Sequence, residues 1–530
     1  MNKISVLDCT LRDGGYCNNW QFGYDNIKKI IKGLIEADID IIECGYLTSE
    51  SGIGNDISKY ADVSDISKAL PDNYQDKMFV AMMNWDEYDV LNLPHCSRNM
   101  IDGIRVAFHK KDLQEGLKVC DSIQKKGYKV FVQAMVSLDY TDKEFLELLE
   151  NVNIIHPYAF YIVDSFGVMK KKNLMHMLYM VDKNLLEDIW IGFHSHNNLQ
   201  LAYANAQCLT DMPMKRNLII DSSIFGMGRG AGNLNTELFI DYLNENHDKK
   251  YDIKPLLSII DEIISKFYGE NPWGYTLPNY LSAIYNIHPN YAMVLDAKKT
   301  LTVKEINEIF STFDKEKSTS FDHKYIEDKY IEFLGKKENE TNKDSLHELF
   351  AGKTVLLIGP GISSIEEKDK IIKCAADDNV ITIGINFNYL ELETDFIFLS
   401  NLRRYRDIDK KVLEKCIVTS NIPADNVYMK VKYKELLNEE EYVQDNALLL
   451  VINLLIKFNV KEILLAGIDG YSVDESDNYA YKKMIVYRKK EILEQMNIGV
   501  QKVIDDYSKI VKIKFLTKQK YILMDSNGEN

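Results

Sequence analysis

Near its start the chain carries the stretch Leu7-Asp8-Cys9-Thr10-Leu11-Arg12-Asp13-Gly14-Gly15-Tyr16. The apolar run Ile4–Leu11 predicts a β-strand, and the two glycines behind it predict that the chain turns there. Arg12 and Asp13 are then neighbours at the exit of the strand. A carboxylate and a guanidinium in this position can hold a metal ion and a positive charge over one substrate. Taken alone, the pair is better explained as an ordinary surface ion pair before a turn.

The first half of the chain repeats one pattern, a short apolar run followed by a longer amphipathic segment. Apolar runs of this kind indicate parallel strands with crossover helices. Eight of them before about residue 245 predict an α/β fold, a closed (β/α)8 TIM barrel over residues 1–248, with an open doubly wound sheet as the alternative. The runs are Ile4–Leu11, Ile39–Tyr46, Lys77–Asn84, Asp102–His109, Lys129–Val136, Tyr158–Phe166, Trp190–Asn197 and Asn217–Gly226.

The second half of the chain has a different organisation. Residues 249–335 predict a helical extension of the barrel, and the polar residues 336–349 predict a linker. Residues 350–530 predict a smaller Rossmann-like α/β domain that ends in a polar tail, Met524–Asn530. Its predicted strands are Lys353–Ile358, Asn379–Asn386, Asp395–Ser400 and Glu462–Gly467, with a helix at Ala447–Phe458.

Composition limits the class of protein. A chain of 530 residues is too long for a single hydrophobic core. The formal net charge of −16 argues against a general nucleic-acid binder, which needs a basic surface. The absence of a long apolar run and of a signal-peptide pattern predicts a cytoplasmic protein without a membrane span. We also expect a homo-oligomer. The eight cysteines show no CxxC spacing, which is typical of reduced core thiols.

Two histidines stand one residue apart on the seventh predicted strand, in His194-Ser195-His196. Alternate residues of a strand face the same side, so both imidazoles can point into the mouth of the barrel. Asp13 adds an anionic oxygen from the first strand, and Asn233 can add a neutral one. Two nitrogens with one or two oxygens suit an open divalent-metal site. Mn²⁺ is the favoured ion, with Mg²⁺, Co²⁺ or Zn²⁺ as alternatives.

Five motifs carry a family resemblance over roughly residues 1–245. The chain resembles the metal-dependent aldolase and synthase family that includes hydroxymethylglutaryl-CoA lyase, isopropylmalate synthase and 4-hydroxy-2-oxovalerate aldolase. The resemblance implies a TIM barrel, a divalent metal, and the making or breaking of a carbon–carbon bond next to a 2-oxo acid or acyl group. In chain order the motifs are Asp8-Cys9-Thr10-Leu11-Arg12-Asp13-Gly14, Ile42-Glu43-Cys44-Gly45, Asp164-Ser165-Phe166-Gly167, His194-Ser195-His196-Asn197 and Gly228-Arg229-Gly230-Ala231-Gly232-Asn233.

The resemblance also implies roles for single residues. The implied metal ligands are Asp13, His194 and His196, with Asn233 as a further one. Arg12 is implied to stabilise an enolate oxygen, because the negative charge that develops there needs a fixed cation. Glu43 is implied to orient Arg12 or a metal-bound water.

The sequence differs from the family pattern at the position of the general base. The 4-hydroxy-2-oxovalerate aldolases, which the chain most resembles, have a histidine shortly after the Arg-Asp-Gly motif, whereas this sequence has Tyr16. An unperturbed tyrosine, with a pKa near 10, is a poor base at neutral pH. The candidates for the base are therefore Tyr16 itself, His109, His288 and Tyr291.

The favoured function is an aldolase that cleaves or forms a bond of a 4-hydroxy-2-oxo acid, with pyruvate enolate and an aldehyde as the fragments. One alternative is a Claisen-type acyl transferase, and another is a lyase that acts on a coenzyme A thioester. A third, which is not enzymatic, is a barrel that only binds a ligand.

The second domain has its own candidate site. Gly359 and Gly361 follow a predicted strand, and backbone amides of such a loop can bind a phosphate. The domain is loosely similar to pterin pyrophosphokinases and bacterial sialyltransferases. That similarity implies a nucleotide or nucleotide-sugar ligand, and the pairing with an aldolase suggests polysaccharide or unusual-sugar biosynthesis.

Overall fold

The computed structural model describes residues 3–50, 54–71, 77–97, 100–298, 300–335, 344–472, 478–481 and 490–521. The chain divides into two compact units. The first contains Met1–Met293 and Phe313–Phe321, and the second contains Val294–Thr312 and Asp322–Asn530. This division does not test the domain boundaries that the sequence predicts at residues 248, 335 and 349, and they stay predictions.

The first unit contains a closed barrel of eight parallel strands. Strand β1 pairs with β2 on one side, where Leu7 is in register with Ile41, and with β8 on the other, where Ile4 is in register with Leu218. This closure confirms the (β/α)8 fold and excludes the open sheet. The strands are β1 Ile4–Asp8, β2 Ile41–Leu47, β3 Met78–Asn84, β4 Gly103–Phe108, β5 Lys129–Ala134, β6 Ala159–Asp164, β7 Trp190–Ser195 and β8 Leu218–Ser222. A short strand, Lys59–Tyr60, pairs with the end of β2.

Helices between the strands cover the outside of the barrel. The longer helices are amphipathic, as Leu113–Lys125 illustrates by burying Leu117, Cys120 and Ile123 on one face. The helix Asp142–Ile155 begins with a capping box, in which Thr141 and Glu144 satisfy each other's backbone N–H groups. The other helices of this part are Thr10–Asp13, Gly15–Asn18, Tyr24–Glu36, Val63–Ser67, Lys171–Asn184, Ala202–Thr210 and Thr236–Asn246.

The segment after the barrel is helical, as the sequence predicts. Its helices are Lys254–Ile259, Ile260–Ile264, Ser265–Glu270, Leu277–Ile284, Pro289–Ala297, Val303–Phe310, Lys315–Ser318 and His323–Leu334. Of the predicted linker, residues 336–343 lie outside the described residues, and the part that follows enters the helix Asp344–Phe350.

The second unit contains an open sheet of seven parallel strands, which confirms a second α/β domain. The strands lie in the order β13-β12-β11-β10-β9-β14-β15. The sequence predicts four of them, but it misses β12, β13 and β15, which have only three or four residues each. The strands are β9 Thr354–Ile358, β10 Val380–Ile385, β11 Phe396–Leu399, β12 Cys416–Thr419, β13 Met429–Val431, β14 Glu462–Ala466 and β15 Lys512–Phe515.

Helices connect the strands of the second sheet. They are Ser363–Glu366, Lys368–Ala375, Leu402–Asp407, Ala447–Lys457 and Lys490–Ser508. Within the described ranges of the whole chain, no helix combines the length and the apolar character needed to cross a membrane. The predicted polar tail, Met524–Asn530, lies outside the described residues.

Candidate metal centre and active site

Arg12 and Asp13 lie on a helical turn and not at the end of an extended strand. Strand β1 ends at Asp8, and Thr10–Asp13 forms a single turn of helix. The prediction of a strand as far as Leu11 was therefore wrong. The physical reason is Asp8, whose carboxylate accepts hydrogen bonds from the Thr10 N–H at 2.9 Å and the Thr236 hydroxyl at 2.7 Å and so favours a turn over continued pairing.

Asp13, His194 and His196 come together at the carboxyl end of the barrel. One ligand atom of each residue lies within 4.8 Å of the others, and all three side chains are buried. The two imidazole rings stand nearly perpendicular, at 89°, with their centroids 5.2 Å apart. The alternation expected for His194-Ser195-His196 therefore brings both rings to the same side, where the turn that carries Asp13 meets them.

Hydrogen bonds fix which atoms are available to a metal ion. His194 Nδ1 lies 2.9 Å from Asp221 Oδ2, which leaves Nε2 as the ligand atom, an arrangement common among metal-binding histidines. His196 Nδ1 lies 3.9 Å from Asp13 Oδ2. This nitrogen is buried, and it has no hydrogen-bond partner in the described part of the chain. A buried nitrogen of this kind fits a metal ligand.

Asn233 lies beside Asp13. Its side-chain N–H group donates to Asp13 Oδ2 at 2.6 Å and to the Met227 carbonyl at 3.2 Å. Its Oδ1 atom is buried and lacks a hydrogen-bond partner among the described residues. Two imidazole nitrogens, a carboxylate and an amide oxygen thus fit the divalent metal that the sequence predicts.

Electrostatics favour the protonation states that a metal needs. Burial opposes the charge of Asp13, but Arg12 and the two histidines together hold the pKa of this carboxyl well below its usual value. Burial lowers the pKa of His196 to about 3, against the opposing effect of Asp13. The carboxylate is therefore ionised and the His196 ring is neutral at neutral pH, as metal binding requires.

A buried chain of charges connects Arg12 to His194. Glu43 Oε2 accepts hydrogen bonds from Arg12 Nε at 2.9 Å and from Arg105 Nη1 at 2.8 Å. Arg105 also pairs with Asp221, and Asp221 holds His194. Glu43 thus contacts two guanidinium groups, which agrees with the predicted role of orienting Arg12. We call Arg12, Glu43, Arg105, Asp221 and His194 the buried ion chain.

Two members of the buried ion chain were not among the predicted site residues. Arg105 lies within β4 and Asp221 within β8, in otherwise apolar runs. A charged residue inside such a run is the signal that could have found them, because buried charges in proteins are almost always paired. Each is almost fully inaccessible, at 0% and 2% exposure.

Tyr16 and His288 both lie beside Arg229 in the first unit. The Arg229 guanidinium carbon stands 5.5 Å from the centroid of the Tyr16 ring, and its Nη1 lies 3.4 Å from His288 Nε2. Arg229 Nη2 donates to the Ser165 carbonyl at 3.2 Å. The structure thus brings two of the predicted base candidates to one cation. We call Tyr16, Arg229 and His288 the mouth cluster.

The base candidates differ in their protonation. Burial and the Arg229 charge lower the pKa of His288 to about 2, so its ring is neutral at neutral pH. Desolvation raises the pKa of Tyr16 above its ordinary value, so the phenol keeps its proton. Burial also lowers the pKa of His109. Tyr291 is fully buried and donates its hydroxyl to the Lys317 and Ser320 carbonyls, which argues against a role as base.

Gly359 and Gly361 lie in the second unit, after β9. The Gly359 N–H donates to the Ala466 carbonyl at 2.8 Å, and the Gly361 N–H donates to the Gly467 carbonyl at 2.9 Å. Both amides therefore have protein partners, which argues against the phosphate-binding role that the sequence suggests for them.

Gly228 leaves no room for a side chain beside the metal cluster. A methyl group at this position would stand 2.7 Å from Asp13 Oδ2 and closer still to Asn233 Nδ2. Gly228→Ala is therefore expected to displace both side chains and to weaken metal binding by about tenfold or more. Titration calorimetry with Mn²⁺ measures the effect. Gly269→Ala is the matched control, because nothing lies within 4 Å of its added methyl group. Equal Mn²⁺ affinity in the two variants would contradict the prediction.

Comparisons with known proteins find relatives of the first half of the chain. Residues 3–263 match the HMGL-like family. The chain is 26% identical to 4-hydroxy-2-oxovalerate aldolase 2 of Rhodococcus jostii (strain RHA1) over 273 residues, 51% of this chain and 77% of that protein. It is 25% identical to 4-hydroxy-2-oxovalerate aldolase of Pseudoalteromonas translucida (strain TAC 125) over 271 residues, 49% and 76% of the two chains.

Among solved structures, the chain is similar to the N-terminal domain of a protein from Bacteroides vulgatus. The two are 30% identical, and the match covers 55% of this chain and 96% of that one, with a TM-score of 0.49. The five sequence motifs, the closed barrel and the family match all fall within the same part of the chain. Residues 3–263 of this protein belong to the HMGL-like family of enzymes.

Proposed function

We propose that the barrel is a divalent-metal-dependent carbon–carbon lyase of the aldolase type that acts on a 2-oxo acid. The observation that carries the proposal is the buried Asp13, His194 and His196 cluster with the Arg12 guanidinium beside it. A Lewis acid and a fixed cation at one point are what the cleavage of a carbon–carbon bond next to a carbonyl needs. A barrel that only binds a ligand would not need a metal site and a fixed cation next to each other in a buried position.

Arg12 has the geometry of an oxyanion-binding group. Its Nε and Nη1 atoms are engaged by Glu43 and Asp13. Its Nη2 atom is buried and has no hydrogen-bond partner among the described residues. A held guanidinium with one unused donor suits the oxygen on which negative charge develops, because the donor is already oriented before the reaction. The metal, when bound, supplies a Lewis acid for the same oxygen.

The mouth cluster supplies an anion-binding cation and a proton donor. We assign an anion-binding role to Arg229, which can hold a charged group of the substrate. His288 positions this guanidinium, because its Nε2 lies 3.4 Å from Arg229 Nη1 and its Nδ1 accepts the Asn290 N–H at 3.2 Å. Tyr16 keeps its proton and can donate a hydrogen bond to the same substrate. In cleavage, the 4-hydroxyl group gives its proton to a base, the bond between C3 and C4 breaks, and the electron pair remains on the three-carbon enolate.

The finer proposal is a 4-hydroxy-2-oxo acid as substrate, with pyruvate and an aldehyde as products and Mn²⁺ as the metal. The names of the relatives support this substrate class. Tyr16 and Arg229 lie at the mouth, where the aldehyde half of the substrate would lie, so we expect an aldehyde partner different from that of the relatives.

The test is pyruvate release from a panel of 4-hydroxy-2-oxo acids without coenzyme A. The full-length protein is stripped with a chelator and reloaded with Mn²⁺, Mg²⁺, Co²⁺ or Zn²⁺. We expect release that depends on the added metal. If metal binds but no acid is cleaved, the aldolase proposal fails. Consumption of acetyl-coenzyme A with a 2-oxo acid would then favour the Claisen-type alternative.

Arg12→Lys is expected to lower kcat roughly 100-fold while the metal content stays unchanged, because losing one oriented donor to an oxyanion costs about that much. Lysine keeps the positive charge but not the fork that Glu43 and Asp13 hold. Steady-state kinetics on the best substrate of the panel measure the change. Arg216→Lys is the control, since Arg216 is a buried arginine that contacts Asp182 and not the site. An unchanged kcat for Arg12→Lys would exclude the proposed role.

A further inference from the structure

A cavity of about 370 Å³ lies in the second unit at the carboxyl edge of its sheet. Residues one to three positions beyond the ends of four strands line it: Gly361 after β9, Asn386 after β10, Asn401 after β11 and Asp469 after β14. Strands β9 to β13 lie next to one another in sequence order. Strand β14 lies on the other side of β9, so the strand order reverses between them. Ligands of open parallel sheets bind where the strand order reverses in this way, and the volume suits a small molecule.

One wall of the cavity is cationic. Arg403 and Arg404 line it at the start of the helix Leu402–Asp407, where Asn401 Oδ1 accepts a hydrogen bond from the Arg404 N–H at 3.0 Å. Arg404 is half-buried, and burial lowers the pKa of its guanidinium. A partly desolvated guanidinium gains free energy from an anionic partner, and its planar fork matches phosphate oxygens.

Three carboxylates line the cavity, namely Asp407, Asp445 and Asp469, and protein donors hold the two that are half-buried. Asp469 accepts hydrogen bonds from the Ser363 N–H at 2.8 Å and from the Ser363 hydroxyl. Asp445 accepts a hydrogen bond from the Tyr330 hydroxyl. Fixed acceptors suit the amino and hydroxyl donors of a base or a sugar, and they would repel a second phosphate group placed against them.

The rest of the lining is aromatic and amide in character. Tyrosine rings offer apolar faces on which a planar base can stack, and side-chain amides can pair with the donors and acceptors at its edge. The tyrosines are Tyr442, Tyr471, Tyr479 and Tyr521, and the asparagines are Asn386, Asn401, Asn446 and Asn478.

We propose that this cavity binds the nucleotide part of a ligand such as a nucleotide-linked sugar. The phosphate lies at Arg403 and Arg404, and the base and ribose lie among the tyrosines and asparagines. Topology, a cationic wall and stacking surfaces together support this class over a purely apolar ligand or a bare anion. The proposal depends on the second unit alone and not on the activity of the barrel.

Titration calorimetry on the full-length protein tests the proposal. The probes are CMP, UMP, AMP and GMP, their diphosphates, and inorganic phosphate alone, all at one fixed ionic strength. We expect at least one nucleotide to bind with a Kd below about 1 mM, and more tightly than phosphate. Binding of no nucleotide, or equal binding of phosphate and nucleotides, would overturn the proposal.

Three variants locate the bound phosphate. Arg404→Gln removes a cation, and we expect it to weaken nucleotide binding at least tenfold. Asn401→Asp keeps a side chain that can cap the helix but adds a negative charge at the same wall, so it should weaken binding as much without loss of thermal stability. Arg406→Gln is the matched control, because Arg406 lies on the same helix but does not line the cavity. Equal effects of Arg404→Gln and Arg406→Gln, or no effect of Asn401→Asp, would overturn the assignment.

Discussion

His196→Ala is expected to abolish binding of the divalent metal and to lower metal-dependent pyruvate release by about 1000-fold or more. The imidazole is one of three buried ligands that lie within reach of one ion, together with Asp13 and His194. A metal that stabilises developing charge contributes several kcal/mol, and each 1.36 kcal/mol corresponds to a factor of ten in rate. Elemental analysis of the purified variant and the pyruvate assay measure the two effects separately.

The matched control for this experiment is His176→Ala. His176 is an exposed histidine on the helix Lys171–Asn184, and its Nε2 lies 2.9 Å from Asp142 Oδ1. We expect this variant to keep the metal content and the rate of the parent protein. If His196→Ala also keeps its metal, the ion binds elsewhere, and the role given to His194 and Asp13 is wrong as well.

Arg105→Met is expected to lower the free energy of unfolding of the barrel by about 3–5 kcal/mol, the usual effect of removing one partner from a buried ion pair. Arg105 is fully buried between Glu43 and Asp221. Methionine fills much of the same volume, so the main cost is the two carboxylates that lose a cation in a dry environment. The barrel therefore depends on a residue that contacts no substrate.

Tryptophan fluorescence in urea can measure this loss for the barrel alone. The four tryptophans of the chain all lie in the first unit, at Trp20, Trp85, Trp190 and Trp273. Lys118→Met is the control, because it removes an exposed ion pair with Glu115, which is worth at most about 1 kcal/mol. An unfolding midpoint of Arg105→Met equal to that of the control would show that Glu43 and Asp221 do not need the cation.

Much of the barrel could be predicted from sequence because its strands are buried on both faces. Most appear as mainly apolar runs, such as Phe160 to Val163 within β6, and eight such runs determine the fold class. The cluster of Asp13, His194 and His196 was also predictable, since residues at strand ends meet at one face of a barrel. The predicted cluster has the expected members, although their roles stay proposals.

The remaining features depend on contacts between distant segments. The Asp8 carboxylate that favours the turn at Thr10–Asp13 is held partly by Thr236, which lies 228 residues away. The cation beside Tyr16 and His288 comes from Arg229, in a third part of the chain. In the second unit, Met429–Val431 is too short to show a pattern of its own, and its pairing with β12 makes it a strand.

The buried ion chain also constrains the order in which the enzyme binds its ligands. Together with Asp13 it contains two guanidinium groups and three carboxylates, so these side chains carry one excess negative charge in a buried site. An excess charge of this kind attracts a divalent cation and opposes a free anion, since little water is present to screen it. Once a divalent cation is bound, the balance becomes one positive charge, which would attract the anionic 2-oxo acid that we propose as substrate. The buried charges thus favour compulsory-order binding, in which the metal precedes the organic acid.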